Sequence, residues 1–524
     1  MFLERVVDNL DKKADRVILI GKKDGKYIPL TFKDLKKRIS VIQDNLPELN
    51  EEDRVVIFME NSPLWIASLF AIMFKGGIAV PADYLLSEKE LFNIFRDSQP
   101  RYIITSSANK EKVRAAVRKL GYHPSIVIVD NLSFEEEKPL TVKIPDIEEV
   151  AVILYTSGTT GNPKGVMLTY KNLNHNIEGI EDTGVLRDDD RFAAILPFHH
   201  TYPLLVTALL PVVEGLPVAF IEKLTPNDIL STIRDQNVTI MVGVPKLYQV
   251  IYHNIMVEIG KLSGPKKKLV NSALKLFRKV GVKKLQKAVF KEVHRKIGPS
   301  LRFMISGGAK LNVEVAKGLE ALGFNVLEGY GLTETSPLVS VNRPDKKKIG
   351  SAGPPIKGVE VKIVNGEIAV KGDNVMKGYY NRPEETEAVI RDGWFYTGDL
   401  GFIDDDGFIH ITGRAKDVIV LDNGKNVYPE DIENEVFKSN YILEVGVFED
   451  GGVIKAIIRP DFELLIEEGI EDIHEFIKQE IKKTTRHLQS YKKIKEFKIT
   501  DRELPRTRIG KLRRFMLPDM YKEI

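Results

Sequence analysis

The sequence predicts an α/β fold. A large N-terminal domain of helix-covered sheets carries a barrel-like subdomain, and a small α+β domain follows. Three observations predict it. Between Arg54 and Ser107, strand-like runs (Val55–Met59, Ile78–Pro81, Tyr102–Thr105) alternate with helical ones (Pro63–Lys75, Ser87–Asp97), the rhythm of βαβ units on a parallel sheet, which is expected to continue through Ser107–Ile147. From Val359 onward the strand-like runs become short and turn-bounded (Val361–Val364, Gly366–Val370, Phe402–Ile403), which predicts an antiparallel or barrel-like unit. Beyond Val418, strands at Val418–Leu421, Glu444–Phe448 and Val453–Ile458 with a helix near Ile470–Leu488 predict a separate α+β unit. The division expected is 1–415 and 416–524.

A chain of 524 residues is too long for one core. Its apolar fraction of 43% and charged fraction of 29% are those of a globular protein, and a formal charge of +3 argues for no nucleic-acid partner. Cysteine is absent. That excludes disulfides, thiolate metal sites and a cysteine nucleophile, so any thioester must reside on a substrate or cofactor. Met1–Arg16 offers no apolar core of signal-peptide length, and Leu64–Phe74 would span only about 16 Å as a helix. The expectation is a cytoplasmic protein that touches membrane surfaces peripherally.

The apolar strand Val150–Leu154 runs into Tyr155-Thr156-Ser157-Gly158-Thr159-Thr160-Gly161-Asn162-Pro163-Lys164-Gly165. Glycines let backbone approach an anion, N–H groups and hydroxyls donate to its oxygens, and lysine adds a mobile charge. The lysine precedes Gly165 rather than Ser or Thr, so this is no Walker loop. Read bare, it fits a Gly/Ser/Thr surface hairpin as well. Ser87 with Glu90 forms a capping-box pattern, and Thr169 is placed to cap the next helix. The strand Phe192–Leu196 ends in Pro197-Phe198-His199-His200-Thr201-Tyr202-Pro203. No further metal-binding side chains stand at ligand spacing nearby, so pocket wall is favoured over a metal site.

Between Lys261 and Lys296, lysines and arginines face a single acid, Glu292, while Leu269, Ala273, Leu276, Phe277, Val280, Leu285, Val289, Phe290 and Val293 recur at mostly helical spacing. This basic amphipathic segment reads as a solvated helical insertion or as contact with an anionic membrane, a phosphopantetheine nucleotide or an acidic carrier protein. Leu301–Ser306 ends in Gly307-Gly308-Ala309, where missing side chains admit a flat ligand. Asn325–Leu327 leads into Glu328-Gly329-Tyr330-Gly331-Leu332-Thr333-Glu334-Thr335. Tyrosine can stack on a purine, threonine can donate to a phosphate, and glutamate is a hard oxygen ligand for Mg²⁺. Further on, a carboxylate within Asp392–Gly401 and an arginine within Gly413-Arg414-Ala415-Lys416-Asp417 can serve ribose hydroxyls. The basic run Leu504–Arg514 closes the series.

These strings, in this order over essentially the whole chain, resemble the adenylate-forming superfamily of acyl-CoA synthetases, luciferases and peptide-synthetase adenylation domains. The resemblance implies that Thr156, Ser157, Gly158, Thr159, Thr160, Gly161 and Lys164 hold the outer phosphates of ATP, and that Gly308, Ala309 and Tyr330 line the nucleotide. It implies Thr333 at the α-phosphate, Glu334 as the Mg²⁺ ligand, Asp399 and Arg414 at the ribose, His199 beside the acyl substrate, and Lys511 as the catalytic lysine. Lys416 becomes the hinge of a mobile C-terminal domain. Arg506 departs mildly from the family, which often has lysine there.

The implied reaction joins a carboxylate to ATP as acyl-adenylate and pyrophosphate, and a thiol then displaces AMP. The basic insertion looks like that of long-chain acyl-CoA synthetases, so a long-chain fatty acid and coenzyme A are the expected substrates. An acyl-carrier-protein synthetase, an aryl-CoA ligase and a non-catalytic nucleotide or fatty-acid sensor are the alternatives. The expected absence of a carrier domain argues against a peptide-synthetase module.

Overall fold

The computed structural model describes residues 1–156, 163–421, 425–507 and 510–524. Among them, a seven-stranded and an eight-stranded sheet share one apolar core. In the first, Arg54–Phe58, Ile78–Pro81, Tyr102–Thr105 and Ser125–Ile128 run parallel, and Val150–Thr156 joins parallel to Ile78–Pro81. The helix Pro63–Met73 is buried from Trp65 to Met73, as expected of a helix apolar on all sides. Its start is fixed by Ser62, whose side chain accepts from the Trp65 N–H, and by Pro63 in the first turn. Ser87–Glu90 and Thr169–Asn172 form the capping boxes of Glu88–Ser98 and Tyr170–Glu181.

One expectation needs correction in this sheet. The strand–helix rhythm does not continue to Ile147, because regular structure ends at Asn131, ahead of the charged, proline-containing run Glu135–Pro139. The strands on either side of the glycine-rich stretch pair as in the hairpin that its bare composition allows. They are Val150–Thr156 and Lys164–Thr169, antiparallel, with Thr156 opposite Lys164. The second strand hides in sequence because its apolar members, Val166, Met167 and Leu168, are consecutive and too few to show a period.

The eight-stranded sheet has a parallel centre: Val326–Gly331, Phe303–Ser306, Ile240–Gly243, Phe192–Ala194, Val218–Phe220 and Val17–Lys23, in that spatial order. Antiparallel edge strands, Leu338–Val341 and Lys26–Thr31, flank it. Four neighbouring strands of this centre end on the same side, where ligands of such sheets bind. Glu360–Val364, Glu367–Lys371, Ile390–Arg391, Trp394–Ile403 and Ile409–Arg414 form a five-stranded antiparallel sheet.

The remaining residues build an α+β unit. Ile442–Asp450, Val453–Pro460 and Glu496–Ile499 form its sheet, against Pro429–Val436 and Ile473–Thr484. Gly451 and Gly452, both at positive φ, make the two-residue turn of its hairpin. Its core cluster draws only on residues 419–499, whereas the large core draws only on residues 2–395.

The basic segment is three helices, Gly264–Phe277, Lys283–Val289 and Lys291–Ile297. Phe277 and Phe290 are buried against each other, edge to face at 6.2 Å. Leu269, Leu276, Val280, Leu285 and Val289 are exposed, Leu269 by 70%. The break around Gly281 resets the helical phase, so one continuous apolar stripe cannot form. Among the described residues, no helix is long and apolar enough to cross a membrane.

Candidate active site

Three of the four parallel strand ends carry residues singled out by sequence. Phe192–Ala194 leads into the histidine turn. Asn61 pins that turn, its amide donating to the Leu196 carbonyl at 2.7 Å while its carbonyl oxygen accepts from the Phe198 N–H at 3.0 Å. Phe198 is fully buried edge-on to Trp65, which leaves His199 on the half-buried side of the turn, 3.8 Å from Asp83. Phe303–Ser306 ends in Gly307, Gly308 and Ala309. A Cβ on Gly307 would lie 3.0 Å from the Tyr202 ring, so glycine lets the histidine turn and this turn meet without displacing that ring. Gly308 sits at positive φ, and both it and Ala309 are exposed.

Val326–Gly331 delivers Tyr330, and the 3-10 turn Thr333–Thr335 delivers Thr333 and Glu334. The Tyr330 hydroxyl donates to Asp399 at 2.8 Å, and the Arg414 Nε donates to the other oxygen of the same carboxylate at 2.7 Å. The two residues face each other across the antiparallel pair Trp394–Ile403 and Ile409–Arg414. Asp399 is thus held from two sides while a carboxylate's remaining lone pairs stay available for ribose hydroxyls. The Tyr330 ring is tethered by its hydroxyl, which fixes the face it offers to a base.

Lys511 comes from the other end of the chain into the same place. Burial lowers its ammonium pKa below the ordinary lysine value and Arg414 lowers it further, while Asp399, Asp417 and Glu430 pull it back up. Those neighbours put the ammonium in the field of the Asp399–Arg414 pair. Arg414 also feels Glu334, so Glu334, Asp399, Arg414 and Lys511 form one electrostatic cluster.

The glutamate is oriented by a residue that sequence reading missed. The Tyr379 hydroxyl donates to Glu334 at 2.9 Å, and the Tyr379 ring lies under Lys164, 5.1 Å from Nζ to centroid. Lys164 is ion-paired to Glu385. The available signal was the run Gly378–Glu385, in which Pro383 opens a helix and Tyr379 pairs with Val166. Thr156 stands opposite Lys164 at the hairpin mouth; Ser157, Gly158, Thr159, Thr160 and Gly161 lie outside the described residues. Lys416 is exposed in the 3-10 turn Ala415–Asp417 that follows Arg414.

No group of three acidic or histidine side chains that could hold a metal by itself occurs among the described residues. A single oriented carboxylate is the donor set of Mg²⁺ that arrives with phosphates and keeps most of its water, so Glu334 fits that ion.

The AMP-binding enzyme family matches residues 6–380, and the AMP-binding enzyme C-terminal domain matches residues 416–524. The chain belongs to the AMP-binding enzyme family. Among its curated relatives are a feruloyl-CoA synthase of Amycolatopsis sp, 31% identical over 78% of each chain, and a long-chain-fatty-acid–CoA ligase of Bacillus subtilis. The latter is 30% identical over 94% of this chain and 90% of its own. The o-succinylbenzoate coenzyme A synthetase of Bacillus subtilis, solved in complex with ATP and a magnesium ion, superimposes with a TM-score of 0.75 at 25% identity, covering 99% of both chains. At the level shared by these AMP-binding relatives, the chain is an adenylate-forming acid–coenzyme A ligase.

Proposed function

We propose that this chain activates a long-chain fatty acid with ATP and transfers the acyl group to coenzyme A. The observation that carries the adenylating half is the grip of Tyr330 and Arg414 on Asp399, with the Lys511 ammonium in the field of that group. A fatty acid is ionised near pH 7, so no general base is needed for its attack on the α-phosphorus. The difficulty is charge. Lys164 leaves Glu385 for the outer phosphates of ATP, Thr333 donates to the α-phosphate, and Asp399 with Arg414 fixes the ribose. Lys511 lies where negative charge builds on the α-phosphate and the attacking oxygen. Glu334 would hold Mg²⁺, which when bound would neutralise phosphate charge and make pyrophosphate a better leaving group. His199 borders the acyl chain. Thiol attack then releases AMP, after the 416–524 domain turns about Lys416 and removes Lys511.

Support for a long acyl chain comes from the Bacillus subtilis relative and from the 261–296 segment. Leu269 and Leu276 are two turns apart on one helix, and Leu285 and Val289 one turn apart on the next, so each pair faces one way, among exposed Lys268, Lys275 and Lys284. Exposed aliphatics ringed by lysines match an anionic bilayer, which takes both the apolar tips and the charge. A membrane is also where a long-chain acid is concentrated.

An aromatic acid is the second reading, favoured by the feruloyl-CoA synthase. Acid-dependent pyrophosphate exchange across saturated acids of increasing length and across cinnamic and benzoic acids decides between them. Exchange should rise with chain length and be weak with aromatic acids; the reverse order would remove the fatty-acid reading. Replacing coenzyme A by an acyl carrier protein in the second half tests the acceptor.

A further inference from the structure

The fourth strand end of the group, Ile240–Gly243, opens the helix Pro245–Gly260, and nothing above gives it work. Lys246 in its first turn donates to Glu444, 2.9 Å away in the 416–524 domain. His253, two turns on, meets Asp461 of that domain at 2.7 Å, and Lys261, two turns further, stands 3.7 Å from Glu467. Spacings of seven and eight residues put all three on one face of the helix. One helix of the large domain therefore presents a row of basic groups to a row of acids on the small one.

Glu444 is the informative member. It is 1% exposed, and besides Lys246 it accepts from Arg506 Nε at 3.1 Å, Arg459 at 3.3 Å and the Leu504 N–H at 3.2 Å. Arg506 also donates to the Gly510 carbonyl at 2.9 Å. Thr507 accepts from the Lys511 N–H on its hydroxyl at 3.1 Å and donates its own N–H to the Lys511 carbonyl at 2.8 Å. Glu444 thus anchors the loop that carries Lys511. Gly510 passes so close to the large domain that a Cβ there would lie 3.5 Å from that of Lys246.

We propose that Lys246 is a positioning residue for the adenylating half-reaction, and that the helix it opens is the docking strip that seats the small domain with Lys511 in the site. This rests on the two-step function proposed above. The contact is built to break. Three of the four donors to Glu444 belong to its own domain, so departure of Lys246 strands no buried anion, and its ammonium returns to water. A buried pair with one donor on each side would resist rotation; this arrangement fixes a pose without locking it.

Lys246→Met keeps the apolar stem and removes the charge. Acid-dependent pyrophosphate exchange should fall at least about tenfold, thioester formation from supplied acyl-AMP should stay within about twofold, and Lys246→Arg should recover most of the exchange. Hydrogen exchange of the 503–513 segment reads the same contact without activity, and should quicken in Lys246→Met with the melting midpoint unchanged. Equal losses in both halves, or unchanged exchange and protection, would overturn the proposal. Wild-type protein that exchanges pyrophosphate with no acid would instead refute the function on which it rests, and the hydrogen-exchange comparison would still decide the contact.

Discussion

Asp399 shows how much of the site rests on single carboxylates: one group takes Tyr330, Arg414 and the field of Lys511. Lys511→Ala should cost adenylation about 3 kcal/mol, roughly a hundredfold, the size of a removed transition-state charge contact, while sparing thioester formation from acyl-AMP. Because burial lowers the Lys511 pKa, its charge is lost as pH rises through a value below that of ordinary lysine. The profile of kcat/KM for ATP, which reports the free enzyme, should fall on an alkaline limb there. Lys511→Arg should move that limb upward because guanidinium stays charged. A limb that does not move assigns it to another group. Glu334→Gln, nearly isosteric, should keep the fold and raise the Mg²⁺ concentration needed for adenylation; an unchanged magnesium titration would remove Glu334 as the ligand. These residues could be singled out in the sequence because short strings carry them. Tyr379 could not, since its value lies in a hydroxyl aimed at Glu334 from 45 positions away in the chain.

Elements were legible where one local rule sufficed. The capping boxes at Ser87 and Thr169 and the all-apolar helix from Pro63 follow from spacing and composition. Lys164–Thr169 was not legible, because a short strand whose partner supplies the pattern carries little pattern itself. The basic segment shows the same limit. Its helices could be read, but which aliphatics they bury depends on the break at Gly281 and on the chain they pack against. If Leu269, Leu276, Leu285 and Val289 enter a bilayer, the protein should bind anionic vesicles and release them in salt, since screening shortens from about 8 Å at physiological strength to about 3 Å at 1 M. Leu269→Asp with Leu285→Asp should abolish binding and leave pyrophosphate exchange with a short, soluble acid unchanged. Equal binding to neutral and anionic vesicles, or none, would reduce the segment to a solvated insertion.

At the scale of the molecule, the seating of 416–524 on the rest could not be read, because Lys246–Glu444 and His253–Asp461 join residues about two hundred positions apart with no local signature. The α/β class, the antiparallel unit after Val359 and the α+β character of the last hundred residues could, because each follows from element order. The proposed use of one site for two reactions calls for that seating to change. Lys416 lies in a 3-10 turn whose φ range includes that of proline, so Lys416→Pro should hold the present pose, keep adenylation and lose thioester formation. Loss of both halves together would place the hinge elsewhere. The central claim, that ATP is split at its α-phosphorus by a carboxylate, is tested most directly by product analysis of wild-type protein with Mg·ATP, a long-chain fatty acid and coenzyme A. AMP, pyrophosphate and thioester in equal amounts, with acyl-AMP accumulating when the thiol is omitted, is the result predicted; ADP and phosphate, with no adenylate, would contradict it.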